Sequence, residues 1–354
     1  MPQATAVAPE RPGTAPAPVG RPPGGSDFAP LLRTVKEQGL LDRRTAWYAR
    51  SIAVNTLALA AVVTGMFLLG GSWWVLLLAP VLSVLCARTA FIGHDAGHSQ
   101  ITGNRKVGRA LGLIHGNLLL GMSASWWNDK HNRHHANPNH LEKDPDVRPG
   151  VVVFSSRHAK ARAGFQRWLT RNQAWLFFPL TLLQGLAMKV YGFQDLRRQA
   201  PRERALEGLL LVAHLVGYAA LLFTAMPLGH ALAFFALHQA LFGLHLGLAF
   251  APNHKGMEMT DSDGERWGHL SRQVLTSRNV RGGAATDWFL GGLNYQIEHH
   301  LFPSMPRPHL RFAQPLVRAH CARLGMPYAE TGFVDSYRQV LRHMYEVGEP
   351  LRVE

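Results

Sequence analysis

Residues 51–87 read SIAVNTLALAAVVTGMFLLGGSWWVLLLAPVLSVLCA, and the fold follows from this stretch. Its 37 positions, between Arg50 and Arg88, hold no Asp, Glu, Lys or Arg. A hydrocarbon core about 30 Å thick takes roughly 20 apolar residues per helical span. The stretch therefore accommodates two spans, with Gly70-Gly71-Ser72 as the turn between them. A second charge-free stretch, 47 residues between Glu207 and Lys255, divides in the same way at Met226-Pro227-Leu228-Gly229. The expected spans are 52–69, 73–93, 208–225 and 230–250. The fold class is all-α: an integral membrane protein with four transmembrane helices in two hairpins and a cytoplasmic helical cap.

The rest of the 354 residues is polar and basic, with Lys+Arg 37 against Asp+Glu 23 and a formal charge of +14. Arg33, Lys36, Arg43, Arg44 and Arg50 precede the first span, and Arg-rich segments follow each hairpin. By the excess of cations on cytoplasmic loops, both termini and the middle segment face the cytoplasm of a multi-pass cell-membrane protein. Charge that tracks membrane edges does not indicate nucleic-acid binding. A third apolar stretch, 172–188, is closely bracketed by Arg171 and Lys189 and reads as an interfacial helix. Arg157, Lys160, Arg162, Arg167 and Arg171 suit contact with anionic lipid, or alternatively a grip on the phosphates of coenzyme A. Residues 1–27, rich in Pro, Gly and Ala, read as a disordered tail; 28–325 form the main domain and 326–354 a C-terminal cytoplasmic segment.

Two cysteines exclude a disulfide scaffold, a four-thiolate zinc site and a self-contained iron–sulfur cluster. Nineteen histidines point the other way. They concentrate in His94-Asp-Ala-Gly-His98, His131-Asn-Arg-His134-His135 and Gln296-Ile-Glu-His299-His300. Spacings of three and four put imidazoles on one helix face, where a metal can collect them. His94 lies 21 residues beyond Trp73, about 32 Å of helix, and so leaves the membrane at its cytoplasmic edge. His254 comes 24 residues after His230 and reaches the same edge. Eight candidate nitrogen ligands, His94, His98, His131, His134, His135, His254, His299 and His300, exceed the four that one zinc takes and argue for two metals. Without sulfur ligands, two irons fit best. The soluble di-iron carboxylate plan is excluded, because no Glu-x-x-His occurs in the chain.

With HDAGH at His94, HNRHH at His131 and Leu293-Asn-Tyr-Gln-Ile-Glu-His-His-Leu-Phe-Pro303, the sequence resembles the membrane fatty acid desaturases, the histidine-box di-iron enzymes. Glutamine opening the third box is similar to the branch of acyl-CoA and front-end desaturases. The resemblance implies four spans, two iron ions held by the eight histidines, and O2-dependent insertion of a cis double bond into a fatty acyl chain carried as acyl-CoA or acyl-lipid. Asp95, Asn132, Asp144, Asp146, Asn253, Gln296 and Glu298 are expected to surround and orient the ligands, since metal-bound imidazoles give their second N–H to an acceptor. No His-Pro-Gly-Gly haem motif of a fused cytochrome b5 domain is present, so electrons are expected from an external donor such as ferredoxin or a cytochrome b5-like or flavin reductase system.

Two other functions compete. Hydroxylation or ketolation of a lipid or hydrocarbon uses the same scaffold, and product analysis separates it. A metal-dependent membrane sensor or transporter would need a polar lining in the spans, whereas they carry only scattered Thr, Asn55, His214, His238, Gln239 and His245.

Overall fold

A computed structural model describes residues 26–261 and 267–352. The expected tail lies outside the described residues except for Ser26 and Asp27, which lead into helix Phe28–Glu37. Among the described residues four helices are long and apolar enough to cross a membrane: Thr45–Leu69, Trp73–Gly97, Pro201–Ala225 and Leu228–Asn253. The first and third begin at Thr45 and Pro201, well before 52 and 208, because helix propagation does not stop where the hydrocarbon does. Proline at a first-turn position forfeits only an N–H that has no helical partner anyway. In the first helix Tyr48 is buried, its hydroxyl donating to Gln100 Oε1 at 3.0 Å.

The second and fourth spans form the centre. Their apolar windows are 56% and 44% buried by protein, against 17% and 11% for the first and third, which therefore leave most of their apolar surface uncovered. Ala79, Leu82 and Phe91 pack in one core with Phe234, Phe242 and Leu246, and Ser83 Oγ donates across this seam to His238 O at 3.1 Å. Asn55 Nδ2 ties the first span to the second through Thr89 Oγ1 at 2.9 Å. The turns meet as well. A Cβ on Gly70 would stand 1.7 Å from the carbonyl oxygen of Ala225, so only glycine lets the ends of the first and third spans touch. The far ends of the second and fourth spans, carrying His94 and His254, then share the opposite end of the bundle.

The stretch 172–188 departs from the expected single helix. It is broken into Gln173–Thr181 and Gln184–Asp195, the second continued by a turn to Arg198, with a bend of 73° between them. Pro179 removes a backbone donor within the last turn before the break. The bend brings the chain against the fourth span so closely that a Cβ on Gly243 would lie 2.6 Å from the carbonyl oxygens of Thr181 and Leu182.

Outside the spans, helix Ala124–Ala136, the six-residue helix Gln296–Leu301 and their connections form a second layer. Leu31, Val274, Ile297, Met305, Leu310 and Val317 share a core there. The segment from 326 onward is no separate unit in its packing. Its strand Glu330–Gly332 pairs in parallel with Asn279–Arg281, and Tyr337 in helix Phe333–Gly348 donates to Leu248 O at 2.8 Å.

Candidate metal centre

Four pieces of chain supply the histidines. His94 and His98 close the second span, His131, His134 and His135 occupy the last turns of Ala124–Ala136, His254 follows the fourth span, and His299 and His300 sit in Gln296–Leu301. Neighbouring helical residues diverge by about 100°. His299 and His300 therefore face different ways, as does His134 relative to its neighbours. His94, His98, His131 and His299 place ring nitrogens within 4.8 Å of one another, and His134, His254 and His300 do the same. His135 stands between the groups, with Nε2 3.0 Å from His131 Nε2 and its ring stacked on His300 at 4.2 Å.

The tautomers follow from the partners. His134 Nδ1 lies 2.9 Å from Asp144 Oδ2, His254 Nδ1 2.9 Å from Thr276 O, and His300 Nδ1 2.9 Å from Gln273 Oε1. All three partners accept, so each Nδ1 carries the proton and each Nε2 presents a lone pair. In the four-nitrogen group His94 Nδ1 likewise meets Asp95 Oδ1 at 2.9 Å. His134 Nε2 and His254 Nε2 then face each other at 3.3 Å, lone pair to lone pair. The Gln296 amide N–H, 2.9 Å from His254 Nε2, meets the second of these lone pairs, and His134 Nε2 is left facing it unless an electrophile sits between them. His98 Nε2, His135 Nδ1, His299 Nδ1 and His300 Nε2 are buried without a hydrogen-bond partner. Burial above all, with neighbouring imidazoles adding to it, holds His98, His131, His135, His254, His299 and His300 well below the usual imidazole range, which keeps the rings neutral. A cluster of neutral, inward-pointing imidazoles is a donor set for metal ions of the imidazole-preferring class.

The expected supporting residues divide. Asp95 and Asp144 orient His94 and His134, and Asp95 is itself paired with Arg307. Asp146 pairs with Lys130 and reaches to 3.6 Å from His134 Nδ1. Asn253 Nδ2 donates to Gln296 Oε1 at 3.0 Å, which turns Gln296 Nε2 toward His254 Nε2 at 2.9 Å. The glutamine oxygen is thus directed away from the histidines. Two expectations fail. Asn132 is exposed on the outer face of its helix. Glu298, wholly buried, faces away from the imidazoles: its carboxylate accepts from Tyr328 Oη at 2.6 Å and Asn279 Nδ2 at 2.7 Å, and burial lifts its pKa to about 7 against those bonds. The sequence reading missed Gln273, the Thr276 carbonyl, Arg307 and Trp127, whose ring stacks on His131 at 4.3 Å. Trp127 lies four residues before His131 on one helix, a spacing visible in the sequence; the other three belong to no spaced cluster, and only contacts across the fold reveal them. His245, one of the scattered polar residues of the spans, stacks on Phe289 and places Nε2 2.9 Å from Phe289 O, apart from both groups.

A cavity of about 500 Å³ adjoins the histidines. Trp126, Leu180, Leu183, Met188 and Phe250 line its apolar part, His131, His134, His254 and Gln296 border it, and Lys130, Arg148 and Lys255 supply its cations. Arg148, Gly150 and Val151 are exposed where it opens. Such a volume, mostly apolar with a few polar groups, suits a small or chain-like organic ligand.

Comparison with known proteins gives a match of residues 71–332 to the family model described as fatty acid desaturase. Similar proteins include the Acyl-lipid (9-3)-desaturase of Physcomitrium patens, 28% identical over 91% of this chain and 63% of its own length. The Delta(8)-fatty-acid desaturase 2 of Arabidopsis thaliana is 28% identical over 85% of this chain and 70% of its length. Fatty acid desaturase 3 of Bos taurus is 30% identical over 91% and 73%. The chain spans less than two thirds of the Physcomitrium patens protein.

Proposed function

Because the chain belongs to the fatty acid desaturase family, we propose that it is an O2-dependent acyl desaturase whose two histidine groups hold two iron ions. The observation that carries the reading is one cavity, mostly apolar in its lining, bordered by histidines of both groups. Bound there, a pair of irons supplies O2-dependent oxidising power sufficient to take two hydrogens from unactivated methylenes, chemistry beyond any side-chain acid or base. In the overall balance one O2 receives two electrons and two protons from the acyl chain, as its two abstracted hydrogens, and two electrons from an external donor with two protons from solvent, and leaves as two waters.

The protein's share is position. His94, His98, His131 and His299 hold one ion, His134, His254 and His300 the other, and His135 lies between. Asp95, Asp144, Thr276 O and Gln273 fix which nitrogen of their partner rings points inward. The apolar wall of the cavity holds the acyl chain. Burying a methylene contributes about 0.8 kcal/mol, so ten of them contribute about 8 kcal/mol toward one register of the chain beside the metals. Arg148 and Lys255 meet the anionic head of the acyl carrier, whether coenzyme A or a phospholipid. The histidine end of the bundle is the cytoplasmic end, which the Arg-rich segments beside it support.

The test is expression in a host lacking the product, together with a competent electron donor and fed acyl chains, followed by mass-spectrometric location of any new double bond. His299→Ala is expected to insert normally and form no product. Oxygenated lipid without new unsaturation would replace the desaturase reading with the hydroxylase one.

A further inference from the structure

We infer that the histidine-free segment Gln273–Asn279 holds the three-nitrogen group together, with Gln273 as its positioning residue; this rests on the metal-centre reading above. The segment touches three of the four ligand-bearing pieces of chain. Gln273, 2% exposed, is anchored at both ends of its amide: Nε2 donates to His135 O at 2.9 Å and Oε1 accepts from His300 Nδ1 at 2.9 Å. Since His135 O can only accept, the amide has one orientation, and that orientation dictates the tautomer of His300. Three residues on, Thr276 O does the same for His254. Arg278 then grips the backbone on both sides of His254: Nε and Nη2 donate to Pro252 O at 2.9 and 2.6 Å, Nη2 donates to Lys255 O at 2.9 Å, and its own N–H donates to Asn253 O at 2.8 Å. A cation on carbonyls at the C-terminal end of a long helix lies where the helix dipole favours it. Asn279 completes the arrangement by accepting from Ile297 N at 2.9 Å and donating to Glu298 at 2.7 Å, which pins the helix carrying His299 and His300.

Gln273 differs from the aspartates that serve His134 and His94, because it is a neutral group and links two ligand-bearing pieces at once. If it sets the inward face of His300, its acceptor oxygen matters and its bulk does not. The decisive variants are Gln273→Met, which keeps the length and removes the acceptor, and Gln273→Glu, which keeps an acceptor for His300 and gives up the donor to His135 O. Full-length protein purified in detergent is loaded with Fe(II), freed of excess metal, and its iron per chain measured, with His300→Ala as the reference for a crippled three-nitrogen group. The parent is expected to hold two irons, Gln273→Met about one, as in His300→Ala, and Gln273→Glu two. A Gln273→Met protein that holds two irons, even with a lowered thermal midpoint, would assign Gln273 a merely structural role and overturn the inference while leaving the metal centre standing. A parent that binds no iron would remove the premise itself. Should Gln273→Met not accumulate, Gln273→Glu decides alone: two irons support the assignment and one refutes it.

Discussion

Replacing Asp144 by asparagine changes one oxygen to a nitrogen at nearly constant shape, and the structure specifies what that costs. Asp144, wholly buried, accepts three N–H groups: His134 Nδ1 at 2.9 Å and Asn139 N at 2.8 Å on Oδ2, and Asp146 N at 2.8 Å on Oδ1. An amide offers one oxygen, so in either orientation its NH2 confronts at least one donor. Turned so that the oxygen stays on His134 and Asn139, it strands the N–H of Asp146. Turned the other way, it forces His134 to carry its proton on Nε2, the atom facing His254. Hydrogen bonds to a charged group contribute about 1.5–3 kcal/mol each. Loss of one therefore lowers the stability of the metal-free protein by about that amount. Loss of a residue supporting a ligand typically weakens metal binding 10–100-fold, or about 1.4–2.8 kcal/mol at 1.4 kcal/mol per decade. The assay is competition of the iron-loaded protein against a chelator, alongside thermal unfolding of the metal-free form. The expected result is that one of two irons leaves at 10–100-fold lower chelator concentration. Parental iron retention with a lowered midpoint would refute the reasoning, because it would mean that His134 does not need its carboxylate to present Nε2.

Two further outcomes follow from buried charges. Arg307 pairs with Asp95 and donates to Phe91 O at 2.7 Å, so Arg307→Ala strands a carboxylate that is 2% exposed; chemical denaturation is expected to register a loss of about 3–5 kcal/mol, with Arg307→Lys recovering part of it. Glu298 titrates near 7 in the folded protein against an ordinary 4.5, so the folded state binds more protons and its stability falls as pH rises between those values. Thermal midpoints of Glu298→Gln minus those of the parent are expected to grow over that window, and a flat difference would contradict the assigned environment.

The reading of the sequence succeeded where chemistry repeats at a period. Two charge-free stretches delimit four long apolar helices, and imidazoles four apart, His94 with His98 and His131 with His135, share a face, whereas His134, three from His131, joins the other group. It failed where a single residue acts at long range. Gln273 reaches His300 across 27 positions and Arg307 reaches Asp95 across more than 200, through lone hydrogen bonds with no periodic trace. Glu298 misled for a different reason. It stands next to His299 in sequence, yet one step along a helix turns a side chain by about 100°, which aims Glu298 at Tyr328 and Asn279 instead of the imidazoles. The break after Thr181 had one visible signal, Pro179, but seventeen uncharged residues do not give the angle of the bend.

The unequal burial of the four spans has a practical side. Lipid tails are as apolar as leucine, so no hydrophobic force drives one span against another, and only close fit and a few bonds such as Asn55 to Thr89 retain an outer helix. The first and third spans therefore act as a soft sleeve around a stiffer central pair, with the surrounding solvent completing the molecule. Thermal midpoints are therefore expected to be higher in native lipid discs than in short-chain detergent, which strips that completing layer first.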